Sequence, residues 1–179
     1  MKGIIFTEFL DLVDSTFGIE VTEAILERAQ VASGGAYTQV GDYGHGEMVQ
    51  LVVALAEEVK VPIEQLLMLY GKALFARLVA IHKVDMSQYN SAFGFLLRVE
   101  DDIHRQVRKL YDKATPPTFL FDEIGEQRMV LRYMSHRGFG AVAHGLILGC
   151  AAYYGEDLVI ERTALNESGT EVRFVLERQ

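Results

Sequence analysis

One cysteine, no tryptophan and three prolines stand in 179 residues. The lone thiol, Cys150, excludes an internal disulfide and any metal site built from several thiolates. Folding must therefore rest on an apolar core. Half the residues are hydrophobic, enough for one compact domain of one or two lobes. Positive charge is also scarce: Lys and Arg total 17 against 25 acids, a formal net charge of -8. That balance argues against nucleic acid or an anionic membrane as the partner. No apolar run reaches transmembrane length. The opening MKGIIFTEFLDLVDSTFG, interrupted by acids every three or four positions, reads as an amphipathic helix and not as a signal peptide. A soluble, cytoplasmic protein with no membrane association is expected.

The prolines mark a change of texture. Before Pro116 the apolar residues recur at helical spacing. Ile5, Phe9, Leu12 and Val13 form a stripe ending at Gly18, Thr22 caps a short helix to about Gln30, and Met48–Val59 and Ile63–Ile81 repeat the period, with Pro62 suited to a first helical position. ASGGAYTQVGDYGHGE is a loop. A further helix runs from about Tyr89 to Asp112, until ATPPTF stops it. TFLFDEI and RMVLRYMS then read as strands, Phe139–Tyr154 as a helix, and LVIERTAL and TEVRFVLER as strands around a turn at Gly169. The predicted fold is α+β, a helical lobe followed by an antiparallel sheet lobe with an inserted helix.

Two features call for chemistry. If VLRYMSHRG is one extended strand, Tyr133, Ser135 and Arg137 share a face and span about 13 Å, at about 3.3 Å per residue. A phenol, a hydroxyl and a guanidinium in a row suit an extended anionic ligand or the rim of a pocket, and make a poor core. Among five histidines, His45, His82, His136 and His144 fit solvated or capping roles. His104 falls a heptad from Leu97 and Tyr111, at the edge of the buried stripe. By spacing alone it is a satisfied core histidine sooner than a ligand.

The start MKGIIF, a helical His104 followed 13 residues later by the end of a Pro-Pro pair at Pro117, and the Y-x-S-x-R run at Tyr133, Ser135 and Arg137 occur in that order. Together they resemble the heme nitric oxide/oxygen binding (H-NOX) family, which includes the sensor region of soluble guanylate cyclase. The resemblance covers essentially the whole chain. It implies one domain over residues 1–179, with a distal helical lobe to about residue 60 and a heme-binding proximal lobe from about 61, and heme b held between them. His104 would be the iron ligand, a neutral imidazole that leaves the opposite coordination site open to a gas. Tyr133, Ser135 and Arg137 would clamp the heme propionates, the Arg fork suiting a carboxylate. Pro117 would press on the porphyrin and bend it.

By family position the apolar pairs Ile5 and Phe9, Leu74 and Leu78, and Val142 and Leu146 would line the gas side, although periodicity alone makes them ordinary core. Val142 stands where oxygen-binding members carry a tyrosine, and Phe9 and Leu74 replace that tyrosine's polar partners. The resemblance thus implies a nitric oxide sensor, also open to carbon monoxide in vitro, with no catalysis of its own. The chain ends soon after the last strand, so a separate output protein is expected, such as a sensor histidine kinase or a cyclic-di-GMP enzyme. With Cys150 alone, a family zinc site is not expected. The alternatives are an oxygen-binding heme protein, a peroxidase-type enzyme, which needs a distal histidine or arginine, and a heme-free scaffold whose Tyr-Ser-Arg row binds another anion.

Overall fold

The computed structural model describes residues 1–111 and 114–179. It divides into two compact units, Met1–Tyr70 and Gly71–Gln179. The division falls inside a continuous helix, where the apolar pattern carries no break.

The first unit holds α1 (Gly3–Phe17), α2 (Ile19–Ala29), α3 (His45–Val59) and the opening turns of α4 (Ile63–Ile81). Gly18, at φ +95°, separates α1 from α2 with one residue, a conformation that favours glycine. Thr22 is therefore not the cap expected from the sequence. It sits one turn inside α2, and its hydroxyl donates to Asp14 at 3.3 Å. Pro62 precedes α4 and its carbonyl accepts the Leu66 N–H at 3.2 Å. The connection between α2 and α3 closes over the start of α1. Gly3 N–H donates to the Gly41 carbonyl at 2.8 Å, and Phe6 stacks on Tyr37 with ring centroids 4.4 Å apart.

The second unit continues α4 and adds α5 (Ala92–Arg98), a turn widened to π hydrogen bonding (Val99–His104), and α6 (Arg105–Leu110). The sequence predicted one helix from about Tyr89. Instead Ser91 caps α5 by accepting the Gly94 N–H at 3.1 Å, and Tyr89 lies before the cap. The predicted end at Asp112 lies outside the described residues. A four-stranded antiparallel sheet follows, in the order β1 (Thr118–Ile124), β2 (Arg128–Met134), β4 (Glu171–Arg178), β3 (Leu158–Ala164). Between β2 and β3 runs α7 (Gly140–Tyr153). Met129, Leu131 and Tyr133 of β2 alternate inward with Val172, Phe174 and Leu176 of β4, and pack with Phe93, Leu96 and Ile147 from the helices. The α+β class read from the sequence holds. Among the described residues no helix is long and apolar enough to cross a membrane.

Glycines let α7 approach α4. A Cβ on Gly149 would stand 2.7 Å from the Lys72 carbonyl oxygen and 2.6 Å from the Phe75 Cβ, so the helices would have to separate. Gly149→Ala is expected to cost about 1–3 kcal/mol through overpacking, lowering Tm by several degrees. Gly46→Ala, on α3 with open space around it, should leave Tm unchanged or raise it. Thermal unfolding followed by circular dichroism checks the pair, and an unchanged Tm for Gly149→Ala contradicts the close approach.

Candidate functional site

His104 closes the π-widened turn, in which the Arg105 N–H reaches back five residues to the Glu100 carbonyl. Such widenings are frequent at functional sites. Exposed charge pairs brace the turn. Arg98 donates two bonds to Asp102 at 2.9 and 3.1 Å, Tyr89 donates to the same carboxylate at 2.9 Å, and Arg105 pairs with Asp101.

The imidazole has defined neighbours on several sides. Its Nδ1 lies 2.8 Å from Oε1 of Glu100. Its ring stacks on Phe119, centroids 5.7 Å apart and planes at 22°. The Pro117 carbonyl also approaches the ring. Burial holds the imidazole below the usual histidine value, outweighing the pull of the Glu100 carboxylate. Burial by itself would raise Glu100, but hydrogen bonds from His104, Arg108 and the Phe119 N–H hold it below the usual carboxylate value. A carboxylate can only accept, so at this contact Nδ1 is the donor and the bond is charge-assisted. In the neutral tautomer that carries this Nδ1–H, Nε2 has the lone pair, the form in which histidine binds a metal.

The Tyr-Ser-Arg row differs from the extended strand expected of it. β2 ends at Met134, and Ser135–Gly138 is a turn, with the Gly138 N–H donating to the Ser135 carbonyl at 3.2 Å and Gly138 at φ +67°. Ser135 Oγ accepts the Arg137 N–H at 3.3 Å. The turn folds the row into a cluster, in which the Tyr133 hydroxyl meets Ser135 and the Phe139 N–H and senses the Arg137 charge. Tyr133 is not outside the core, as the row suggested. It is 3% exposed, its ring near Phe119 at 6.0 Å and Phe174 at 6.5 Å. A tyrosine can bury its ring and keep its hydroxyl at the edge. Burial raises its phenol above the usual value. Burial also lowers Arg137 from the usual guanidinium value, against the pull of Tyr133. The Arg137 fork donates to the Thr115 carbonyl at 2.7 Å and hydroxyl at 2.6 Å.

His104, Pro117, Tyr133, Ser135 and Arg137 thus form one neighbourhood, linked through Phe119, which pairs with Tyr133 across β1 and β2. In the same unit Leu74 is buried on α4, and Leu78, Val142 and Leu146 are half-buried on α4 and α7. In the first unit Ile5 is half-buried, and buried Phe9 meets the Tyr70 ring edge-on at 5.4 Å. The buried Tyr70 hydroxyl donates to the Ile5 carbonyl at 2.6 Å, which commits its proton. His144 meets the Phe174 ring edge-on at 6.1 Å.

Glu100, Phe119 and Thr115 were not singled out from the sequence. Only the four-residue spacing of Glu100 from His104 offered a signal. A cavity of about 380 Å³ near the end of α4 is lined by Lys83, Asp85, Tyr89, Asp102 and Ile103, and by none of the residues selected from the sequence. It lies beside the bracing pairs of the turn and is not the chemical centre.

The donor set fits heme. One imidazole suits a metal that arrives with four ligands of its own, and a guanidinium with two hydroxyls suits carboxylates. A family model described as Haem-NO-binding matches residues 2–162. The Fe(II) unliganded H-NOX protein from K. algicida is 34% identical over 100% of this chain and 97% of that chain, with a TM-score of 0.94. The H-NOX from Shewanella woodyi, in the Fe(II)CO state, is 39% identical over 100% and 95%, at 0.83. The H-NOX protein from S. oneidensis in the Fe(II)NO state is 26% identical over 100% and 99%, at 0.89. A search of curated proteins found no match.

The cluster makes a graded expectation. Arg137→Ala should cost more heme than Ser135→Ala, because a charge-assisted contact is worth about 1.5–3 kcal/mol and the serine is one donor among several. Heme content per protein after purification checks it, and equal retention in both variants contradicts the clamp.

Proposed function

The chain belongs to the haem-NO-binding family, and on that premise we propose that it is a heme-based gas sensor tuned to nitric oxide over dioxygen, with His104 as the iron ligand. The observation that carries the reading is the held His104 ring, its Nδ1 committed to Glu100 at 2.8 Å and its face stacked on Phe119, an arrangement that would leave Nε2 to bind metal. Heme is the cofactor of this family, and when bound it supplies the ferrous iron that takes up the gas.

The chain's own residues hold and shield. Arg137, Ser135 and Tyr133 would bind the propionates, which at a buried edge need partners of opposite charge or hydrogen bonds. Pro117, whose carbonyl approaches the His104 ring, would bear on the macrocycle.

Selectivity follows from the residues assigned to the gas side. Ile5, Phe9, Leu74, Leu78, Val142 and Leu146 carry no side-chain donor. Tyr70, the nearest phenol in sequence to Leu74, already gives its proton to the Ile5 carbonyl. Dioxygen at ferrous heme gains from a donor, whereas nitric oxide binds tightly without one. H-NOX domains are sensors and not enzymes. We propose that this chain likewise has no catalysis of its own and signals from the cytoplasm to a separate protein, such as a sensor histidine kinase or a cyclic-di-GMP enzyme.

The direct test is the visible spectrum of the reduced protein. The Soret band should stay in place in air-saturated buffer and move on adding nitric oxide; a shift in air alone refutes the selectivity, and peroxide turnover refutes the sensor role. Val142→Tyr should introduce weak dioxygen binding, strengthened by adding Leu74→Asn, with nitric oxide binding retained. Spectra of both variants under oxygen check this, and no oxygen response in the double variant removes Val142 from the gas side.

A further inference from the structure

Glu100 stands in a run of three acids, Glu100, Asp101 and Asp102, that by pattern is an ordinary solvated face. Asp101 behaves that way, pairing with exposed Arg105, while Asp102 pairs with exposed Arg98 and also accepts the Tyr89 hydroxyl at 2.9 Å. Glu100 has three partners from three elements. Oε1 receives both His104 Nδ1 at 2.8 Å and the Phe119 N–H at 3.3 Å, and Oε2 receives Arg108 Nη2 at 3.2 Å. One carboxylate therefore ties together the π-widened turn, α6 and the start of β1. Phe119, whose N–H it accepts, also supplies the ring that stacks on His104. The imidazole is consequently fixed in two ways, in its plane by the carboxylate and across its face by the phenyl ring.

We infer that Glu100 is the positioning residue of the iron ligand: by accepting Nδ1–H it fixes the tautomer and direction of the His104 ring and strengthens Nε2 as a donor. This rests on His104 being the ligand, as proposed above. A carboxylate behind a metal-binding imidazole orients the ring and raises its basicity, and loss of such a partner typically weakens metal binding about 10- to 100-fold. With heme bound, the strength of the iron–histidine bond is what Glu100 would set, through the His104 ring.

Two measurements test it on the heme-loaded full chain. In Glu100→Gln, which keeps size and an acceptor but removes the charge, the iron–histidine stretching band of the ferrous protein should move to lower wavenumber in the resonance Raman spectrum. A purely architectural glutamate would leave that band in place, and an unmoved band in a folded, heme-loaded variant overturns the inference. The second measurement uses His104→Gly filled with free ligands. Imidazole has an N–H to give to Glu100 and 1-methylimidazole has none, so imidazole should bind roughly 10-fold more tightly, and this preference should vanish in His104→Gly/Glu100→Ala. Equal binding of the two ligands in both backgrounds overturns the inference while leaving His104 as the ligand. If His104→Gly keeps the wild-type heme spectrum with no imidazole added, the ligand assignment itself fails.

Discussion

The hydrogen bond from His104 to Glu100 is the contact on which the rest of the site depends. A histidine with most of its side chain buried must satisfy its N–H or lose about 1–3 kcal/mol. Here the partner is a carboxylate that is anchored from two other elements. The widened turn places both residues, since the Arg105 N–H reaches back to the Glu100 carbonyl and shifts the helix register between them. Burial holds the imidazole below the usual histidine value, and hydrogen bonds hold the carboxylate below its own.

From that fixed ring the structure runs outward through Phe119 to Tyr133 and so to the turn carrying Ser135 and Arg137. A displacement of His104 would be felt first by Phe119, which lies against its face, and next by β1, whose backbone N–H shares the Glu100 carboxylate. Arg137 ties the same turn to Thr115, two residues before Pro117. His104 and the cluster proposed to clamp heme are thus neighbours through side-chain contacts, not merely residues of one fold.

Much of this was legible in the sequence and some was not, for physical reasons. The strand TFLFDEI and the helix Ile63–Ile81 were readable, because Pro116, Pro117 and Pro62 mark where they begin. The widened turn was invisible, since Leu96, Leu97, Ile103 and Val107 keep an apolar stripe whether or not the helix slips by one residue. The division within α4 was invisible for a similar reason, as a continuous helix carries no punctuation. Tyr133, Ser135 and Arg137 could be selected as chemistry, but the turn that gathers them depends on Gly138 at positive φ, and their spacing read equally well as a flat strand. Glu100 was hidden by company: beside Asp101 and Asp102 it looked like one more solvated acid. His104 itself was not identified by its pattern, which favoured a core residue, and needed the proline pair and the Tyr-Ser-Arg run to stand out.

The central claim is that His104 is the one protein ligand to iron in the reduced, gas-free state, leaving the opposite side open. Resonance Raman spectroscopy of the anaerobic ferrous protein, with and without nitrogen-15 histidine, tests it most directly. The expected result is a five-coordinate, high-spin spectrum with one low-frequency iron–histidine band that shifts on labelling and is absent from His104→Gly. A six-coordinate, low-spin spectrum, or a band that ignores the label, would contradict it.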